Sequence, residues 1–456
     1  MTHQEGILVS LILILYACFS MDAFEIEGGH PLRGEVEING SKNASLPCQF
    51  ASLLTAGPVR LRRVPDLRDT RTAAQLLESL GKSCARDSQG LLIKEGNLSS
   101  GAQRDAVAPY ELVKQMRASV LAAGPMLSRW GKARVALPGG CAIGPRPIDI
   151  HLEGFKALGA RIEVEGGDAV LRAPAKGLRA AKFRLKFPSV GATENLMLAA
   201  SMIPGMTVIG NAAREPEICD LAALLRAMGA GISGDGTSRV IVGVVRQLHG
   251  ADYRIQPDRI ETGTFIIMAS MTPGSAVTLK QCEPGHHLVL FKLLRKAGIV
   301  AIVEKDSIGI RVPLKFRPRA VSIKTEVYPG FPTDLQPLWL ALMARARGTS
   351  RIGETIFENR FMHVPEMSRM GAEISVKGDM SVVRGTERLA GTKVMASDIR
   401  AGAGLIAAAL AAEGVTIISR IYHIDRGYEN LEVRLADIGA HIRRFVEVRY
   451  RRVEAT

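Results

Sequence analysis

At 456 residues, 47% of them hydrophobic and only 5% aromatic, the chain has room for two or three domains and a sizeable α/β core. Its six cysteines (Cys18, Cys48, Cys84, Cys141, Cys219, Cys282) lie scattered, with no CxxC pair and no metal-ligand spacing. That argues against a disulfide scaffold or a zinc cluster and reads as reduced thiols in a cytosol. The formal net charge of +14 calls for an anionic partner, but the basic residues are spread out and no nucleic-acid signature appears, so small phosphorylated substrates fit better than DNA or RNA.

In chain order, Ile7 to Phe19 (ILVSLILILYACF) comes first. This apolar run is too short for a membrane-spanning helix, and no Lys or Arg precedes it as in a signal peptide. Residues 1–20 are read as an apolar extension outside the fold, with translation starting at Met21; a membrane tether is the alternative.

From Met21 onward two phrases alternate. One is a helical end, Gly-Ala or a near variant, then a strand, at Leu77–Gly81, Phe155–Ala160, Leu225–Ala230, Leu294–Gly298, Met367–Ala372 and Leu435–Ala440. Glycine there predicts a left-handed helix stop, and the alternation Arg161-Ile162-Glu163-Val164 predicts a strand after it. The other is an Ala/Leu-rich helix followed by a β-branched strand, at Leu46–Leu61, Arg117–Val135, Ala192–Ile209, Gly263–Leu279, Leu335–Ile352 and Gly402–Ile418. Six repeats of about 70 residues result. Their long helices are apolar on most faces, which predicts burial inside a layer of strands.

Residues that break the shared pattern cluster at two places. At helix starts stand Lys42-Asn43, Arg117, Ser189 to Thr193, Asp258-Arg259, Asp334, and Asp398 with Arg400. After strands come the loop LPGGCAIGPRP with Cys141 and Arg146, then Arg214, Arg360 and Arg426. Each alone has a plain structural role: Ser189 or Asp334 as an N-cap, Asp258-Arg259 as a structural pair, Arg360 and Arg426 as scaffold arginines. Facing one another across repeats, they would make one cationic, anion-binding cleft. A thiol at the tip of a Gly- and Pro-rich loop beside an arginine suits acid–base chemistry better than a core.

The phrases GSKNASLP, MRASVLAAGP, LPGGCAIGPRPIDIHLEG, PSVGATEN, NAAREPEI, PDRIETGTF, FPTDLQP, FENRFMHVPE and IYHIDRGYE occur in that order. Together they resemble the UDP-N-acetylglucosamine 1-carboxyvinyltransferase family of enolpyruvyl transferases, from Met21 to about Gly439. The resemblance implies an inside-out α/β barrel fold. Two domains, 42–257 and 21–41 with 258–456, each hold three repeats with helices buried inside strands, and the active site lies in the interdomain cleft.

It also implies a reaction: the enolpyruvyl group of phosphoenolpyruvate passes to the 3-hydroxyl of UDP-N-acetylglucosamine by addition–elimination, with release of phosphate. That step opens peptidoglycan synthesis in the cytoplasm. No cofactor, metal, nucleic acid or stable membrane association is expected. The sister enzyme, 5-enolpyruvylshikimate-3-phosphate synthase, shares fold and phosphoenolpyruvate, but its Gly-Asn-Ala-Gly-Thr-like motif is not found here.

By the same resemblance, Cys141 is the proton donor, able to bond to C2 of phosphoenolpyruvate and to react with the epoxide fosfomycin. Asp334 is the carboxylate near the sugar hydroxyl. Lys42, Arg146 and Arg426 hold phosphate, Arg360 and Arg400 are further phosphoenolpyruvate-binding arginines, and Asn43 positions the reacting centre. Arg117, Pro147, Ile148, Asp149, Ile150, His151, Ser189, Val190, Gly191 and Ile356 contact UDP-N-acetylglucosamine, with Arg146 and Asp334 shared. Phe187 and Arg68 stand where some relatives carry lysine.

Overall fold

The long helices are so uniformly apolar that only enclosure can satisfy them, and the computed structural model encloses them in two lobes. It describes residues 16–96, 106–137, 148–243 and 247–452; Cys141, Arg146 and Pro147 lie outside these. Three repeats build the first lobe, with helix pairs α1 (Lys42–Ala51) and α2 (Arg68–Ser79), α3 (Ala123–Trp130) and α4 (Asp149–Ala157), and α5 (Val190–Ala200) and α6 (Pro216–Ala227). The second lobe holds α7 (Arg259–Met271) and α8 (Leu288–Ala297), α9 (Gln336–Ala344) and α10 (Val364–Arg369), and α11 (Ile399–Leu410) and α12 (Leu431–Asp437).

In each pair the first helix is the buried one. Every residue of α9 is buried, as is every residue of α1 but Asn43, of α7 but Arg259, and of α11 but Ile399. The partner helix is amphipathic: α8 buries only Leu290, Leu294 and Ala297. The predicted glycine stops are all present, with Gly81, Gly159, Gly229, Gly298, Gly371 and Gly439 at φ between 87° and 103°.

Among the described residues six four-stranded sheets wrap these helices, all with one pattern. In the sheet Lys182–Arg184, Thr207–Gly210, Arg239–Val242, Ile232–Ser233 the first pair is parallel and the rest antiparallel. Three sheets borrow strands from afar. Ala251–Arg254 runs parallel to Val59–Arg62 and completes the sheet of the first repeat. Arg33–Glu37 does the same for Ala276–Lys280, and Tyr16–Glu27 lies between Val415–Ser419 and His441–Arg452. That last strand begins at Tyr16, ahead of the Met21 start read from the sequence.

Two separate apolar cores result. One draws on residues between Ala44 and Ile255, the other on Phe24 to Ile38 and Ile260 to Ala440. The helices-inside, strands-outside architecture expected from the repeats is thus present. Between the lobes the chain crosses twice, side by side: Ser41 N donates to Gln256 O (2.7 Å) and Asp258 N to Asn39 O (2.9 Å).

Candidate active site

The crossing fixes two helix starts against each other. Ser41 caps α1 by accepting from Ala44 N, and Asp258 caps α7 by accepting from Ile260 N and Glu261 N. The other carboxylate oxygen of Asp258 accepts from the backbone of Lys42 at 3.0 Å, so Lys42 sits where the lobes join. Its Nζ lies 2.7 Å from Oδ2 of Asp69, in the first turn of α2. Oδ1 of Asp69 accepts from Nε of Arg426, on the second lobe, at 2.9 Å, and Arg426 also donates to Gln115 O.

Burial draws the Lys42 ammonium below its usual range; Asp69 opposes this, and the nearby charges of Arg400 and Arg426 reinforce it. Burial pushes the Asp69 carboxyl up, but Lys42 and Arg426 outweigh it and leave the group below its usual range.

A second carboxylate binds two more arginines. Asp334, in the 3-10 turn Thr333–Leu335, accepts from Arg360 at 2.8 Å and lies 3.6 Å from Nε of Arg400. Arg360 and Arg400 are 3% and 6% exposed, so their charges are held in place rather than solvated. Burial works against the Arg400 charge, yet Tyr428, Asp334 and Asp258 hold its pKa above the ordinary value. Asp398 caps α11 through Arg400 N and Ala401 N, which sets the start of the helix that carries Arg400.

A third group lies in the first lobe, next to the segment that Arg426 touches. Arg117 opens the 3-10 turn Arg117–Ala122, and its charge adds to the burial that brings His151 down to about 4. Ile148 precedes α4, whose first turn holds Asp149, Ile150 and His151. The His151 ring faces the first turn of α5, where Ser189 caps Ala192 N and is followed by Val190 and Gly191. A cavity of about 450 Å³ opens beside it, between Pro188, Asn211, Arg214 and Glu215 of the first lobe and Glu326 to Gly330 of the second.

The structure therefore gathers Lys42, Arg426, Asp334, Arg360 and Arg400 on the lobe boundary, with Asn43 beside Lys42. Arg117, Ile148–His151 and Ser189–Gly191 form the adjoining group. Ile356 is joined to the centre indirectly: its N–H and the Thr333 hydroxyl bind opposite oxygens of the buried Glu354, one residue from Asp334.

Three participants escape a reading of the sequence. Asp69 lies at the start of a partner helix, and the same helix-start rule applied to those helices would have found it. Glu354 and Glu217 carry no local signal; Glu217 pairs across the lobes at 3.0 Å with Arg259, a helix-start residue read from the sequence only as the partner of Asp258. Asp334, a candidate cap by sequence, instead lies within its turn and bonds to Arg360.

Among the described residues one group has the composition of a metal site: Glu27, His30 and His441. Its imidazoles stack at 3.6 Å and 17°, so their in-plane lone pairs run nearly parallel instead of converging on one point. Glu27 lies 3.2 Å from Nδ1 of His441, as in a surface hydrogen-bonded cluster. Among the described residues no helix is long and apolar enough to cross a membrane.

Buried arginines and a lysine arranged around two carboxylates between two inside-out lobes define an enzyme class that handles phosphate- and carboxylate-bearing substrates. A sequence profile of EPSP synthase (3-phosphoshikimate 1-carboxyvinyltransferase) matches residues 26–435, and the chain belongs to that family of enolpyruvyl transferases. Among solved structures it is similar to the enolpyruvyl transferase NikO from Streptomyces tendae, at 25% identity and TM-score 0.83, covering 94% of this chain and 100% of that one. It also shares its fold with EPSP synthase from Acinetobacter baumannii, at 16% identity and TM-score 0.71, over 93% of this chain and 100% of that one.

Proposed function

We propose that the protein transfers the enolpyruvyl group of phosphoenolpyruvate to the 3-hydroxyl of UDP-N-acetylglucosamine and releases phosphate. The observation that carries this reading is the placement of Lys42 and Arg426 around Asp69 and of Arg360 and Arg400 around Asp334, next to a helix start flanked by His151 and Arg117. Guanidinium groups suit both the phosphate and the carboxylate of phosphoenolpyruvate. They would draw charge toward those groups as the acceptor oxygen bonds to C2. Asp334 takes the proton of the sugar hydroxyl as its oxygen bonds to C2, and Cys141 delivers a proton to C3. In the elimination a C3 proton passes back to the Cys141 thiolate while the C2–O bond to phosphate breaks and the double bond re-forms.

This reading places the work in the cytoplasm, at the entry to peptidoglycan synthesis. It takes residues 42–257 as one domain and 21–41 with 258–456 as the other, closing over both substrates.

A phosphate-release assay with phosphoenolpyruvate tests it, with UDP-N-acetylglucosamine and shikimate 3-phosphate as rival acceptors. Turnover with the nucleotide sugar, lost by about a thousandfold in Asp334→Asn, is the expected result. Turnover only with shikimate 3-phosphate would overturn the acceptor, and no turnover with either in folded enzyme would overturn the reaction.

A further inference from the structure

Asn195, the sixth residue of α5, is fully buried and makes three polar contacts. Its Oδ1 accepts from Gly124 N at 2.8 Å, and its Nδ2 donates to Val120 O at 2.9 Å. These backbone partners allow only one assignment of the amide, because an N–H must meet the oxygen and a carbonyl must meet the NH₂. The contact with Gly124 is so close that a Cβ at Gly124 would strike the carbonyl and Oδ1 of Asn195.

The third contact joins Nδ2 of Asn195 to Nδ1 of His151 at 3.1 Å. The second hydrogen of the amide points there, so Nδ1 must be the acceptor and the ring proton must sit on Nε2. Burial and the neighbouring charge of Arg117 keep the ring neutral near pH 7, with a pKa of about 4. The Nε2 edge faces Gly191, where a methyl group would lie 3.5 Å from Nε2 and cover it.

We infer that Asn195 is a positioning residue that fixes His151 as the Nε2–H tautomer, so that His151 offers the substrate site one neutral N–H donor. The ligand atom it selects is an oxygen acceptor, of the kind a sugar nucleotide carries on its base and phosphates. This deepens the sugar-nucleotide reading and rests on it for the identity of the ligand.

The test is ring-nitrogen NMR of the full-length protein labelled with ¹⁵N-histidine, without substrate at neutral pH, with His151 assigned by the signal lost in His151→Gln. An unprotonated Nδ1 and a protonated Nε2 are expected. Asn195→Asp puts an acceptor oxygen where the donor nitrogen Nδ2 was, so a proton should appear on Nδ1. The KM for the sugar nucleotide should then rise about tenfold, the scale of one hydrogen bond, with kcat changed by less than about threefold.

A wild-type ring protonated at Nδ1 overturns the inference, as does an Asn195→Asp protein with an unaltered tautomer or an unaltered KM. If that variant does not fold, the wild-type spectrum decides. The spectrum needs no acceptor, so an error in the acceptor and an error in the tautomer show up in different experiments.

Discussion

Asp69 is a single carboxylate between an ammonium of one lobe and a guanidinium of the other. Removing its charge leaves Lys42 buried without its counter-ion and frees Arg426 from the first lobe. Asp69→Asn is expected to lower stability by about 3 kcal/mol and kcat/KM for phosphoenolpyruvate about a hundredfold. Calorimetry and steady-state kinetics read the two effects separately, and a variant with wild-type kinetics would refute the role.

Thiols give a second test at this scale. Burial raises Cys48 well above the usual thiol range, Cys84 to about 12, and Cys219 and Cys282 to about 11. None of these four is a useful nucleophile near pH 7. Fosfomycin is therefore expected to add to Cys141 and spare these four, as peptide mass mapping would show; an adduct on Cys48 would contradict the burial argument.

Single residues were legible where they broke a repeat, as Lys42, Asp334 and Arg426 do. Asp69 escapes because the helix-start rule is applied to the long inner helices and not to their amphipathic partners, where Asp69 stands.

The inner helices pack closely because small residues let their backbones approach. A Cβ on Gly404 of α11 would meet the carbonyl oxygen of Pro337 in α9 at 2.9 Å and its carbonyl carbon at 3.0 Å. Gly404→Val is expected to cost more than about 2 kcal/mol, since neither backbone can yield without opening the core. Gly414→Ala is the contrasting case: space is open there, and the penalty of about 1 kcal/mol comes from a φ of +84°. Urea unfolding midpoints separate the two.

Most elements could be read from the sequence, because apolar helices and glycine stops are local signals. Strand partnership could not. Nothing in Ala251–Arg254 indicates that it completes a sheet begun nearly two hundred residues earlier, at Val59.

Across the molecule, Asp220 of α6 fastens that returning strand. Its carboxylate accepts from the Tyr253 hydroxyl at 2.6 Å and from Gln256 N at 3.2 Å, just before the chain crosses to the second lobe. Burial raises its pKa from 3.8 to about 6 despite both bonds. A raised carboxyl favours the folded state while protonated, so this contribution is full below about pH 4 and is lost as the pH climbs to 6. The loss is worth about 3 kcal/mol. In urea titrations at pH 4.5 and 6.5, Asp220→Asn should lose this part of the decline and keep the part that comes from Glu194, Glu215 and Glu261, which burial also raises. The buried histidines titrate with the opposite sign in both proteins and cancel in the difference. An unchanged slope would show that Asp220 is not the group responsible.

The borrowed strands also order the events of synthesis. All three sheets of the first lobe are complete once residue 254 has left the ribosome, so its core of Ala44 to Ile255 can close while the rest is still being made. In the second lobe Arg33–Glu37 waits for Ala276–Lys280, and Tyr16–Glu27 waits for the strands Val415–Ser419 and His441–Arg452. Tyr16–Glu27 must therefore stay unpaired through nearly the whole of translation. Its pairing with His441–Arg452 spans more of the sequence than the Arg426–Asp69 contact that joins the lobes.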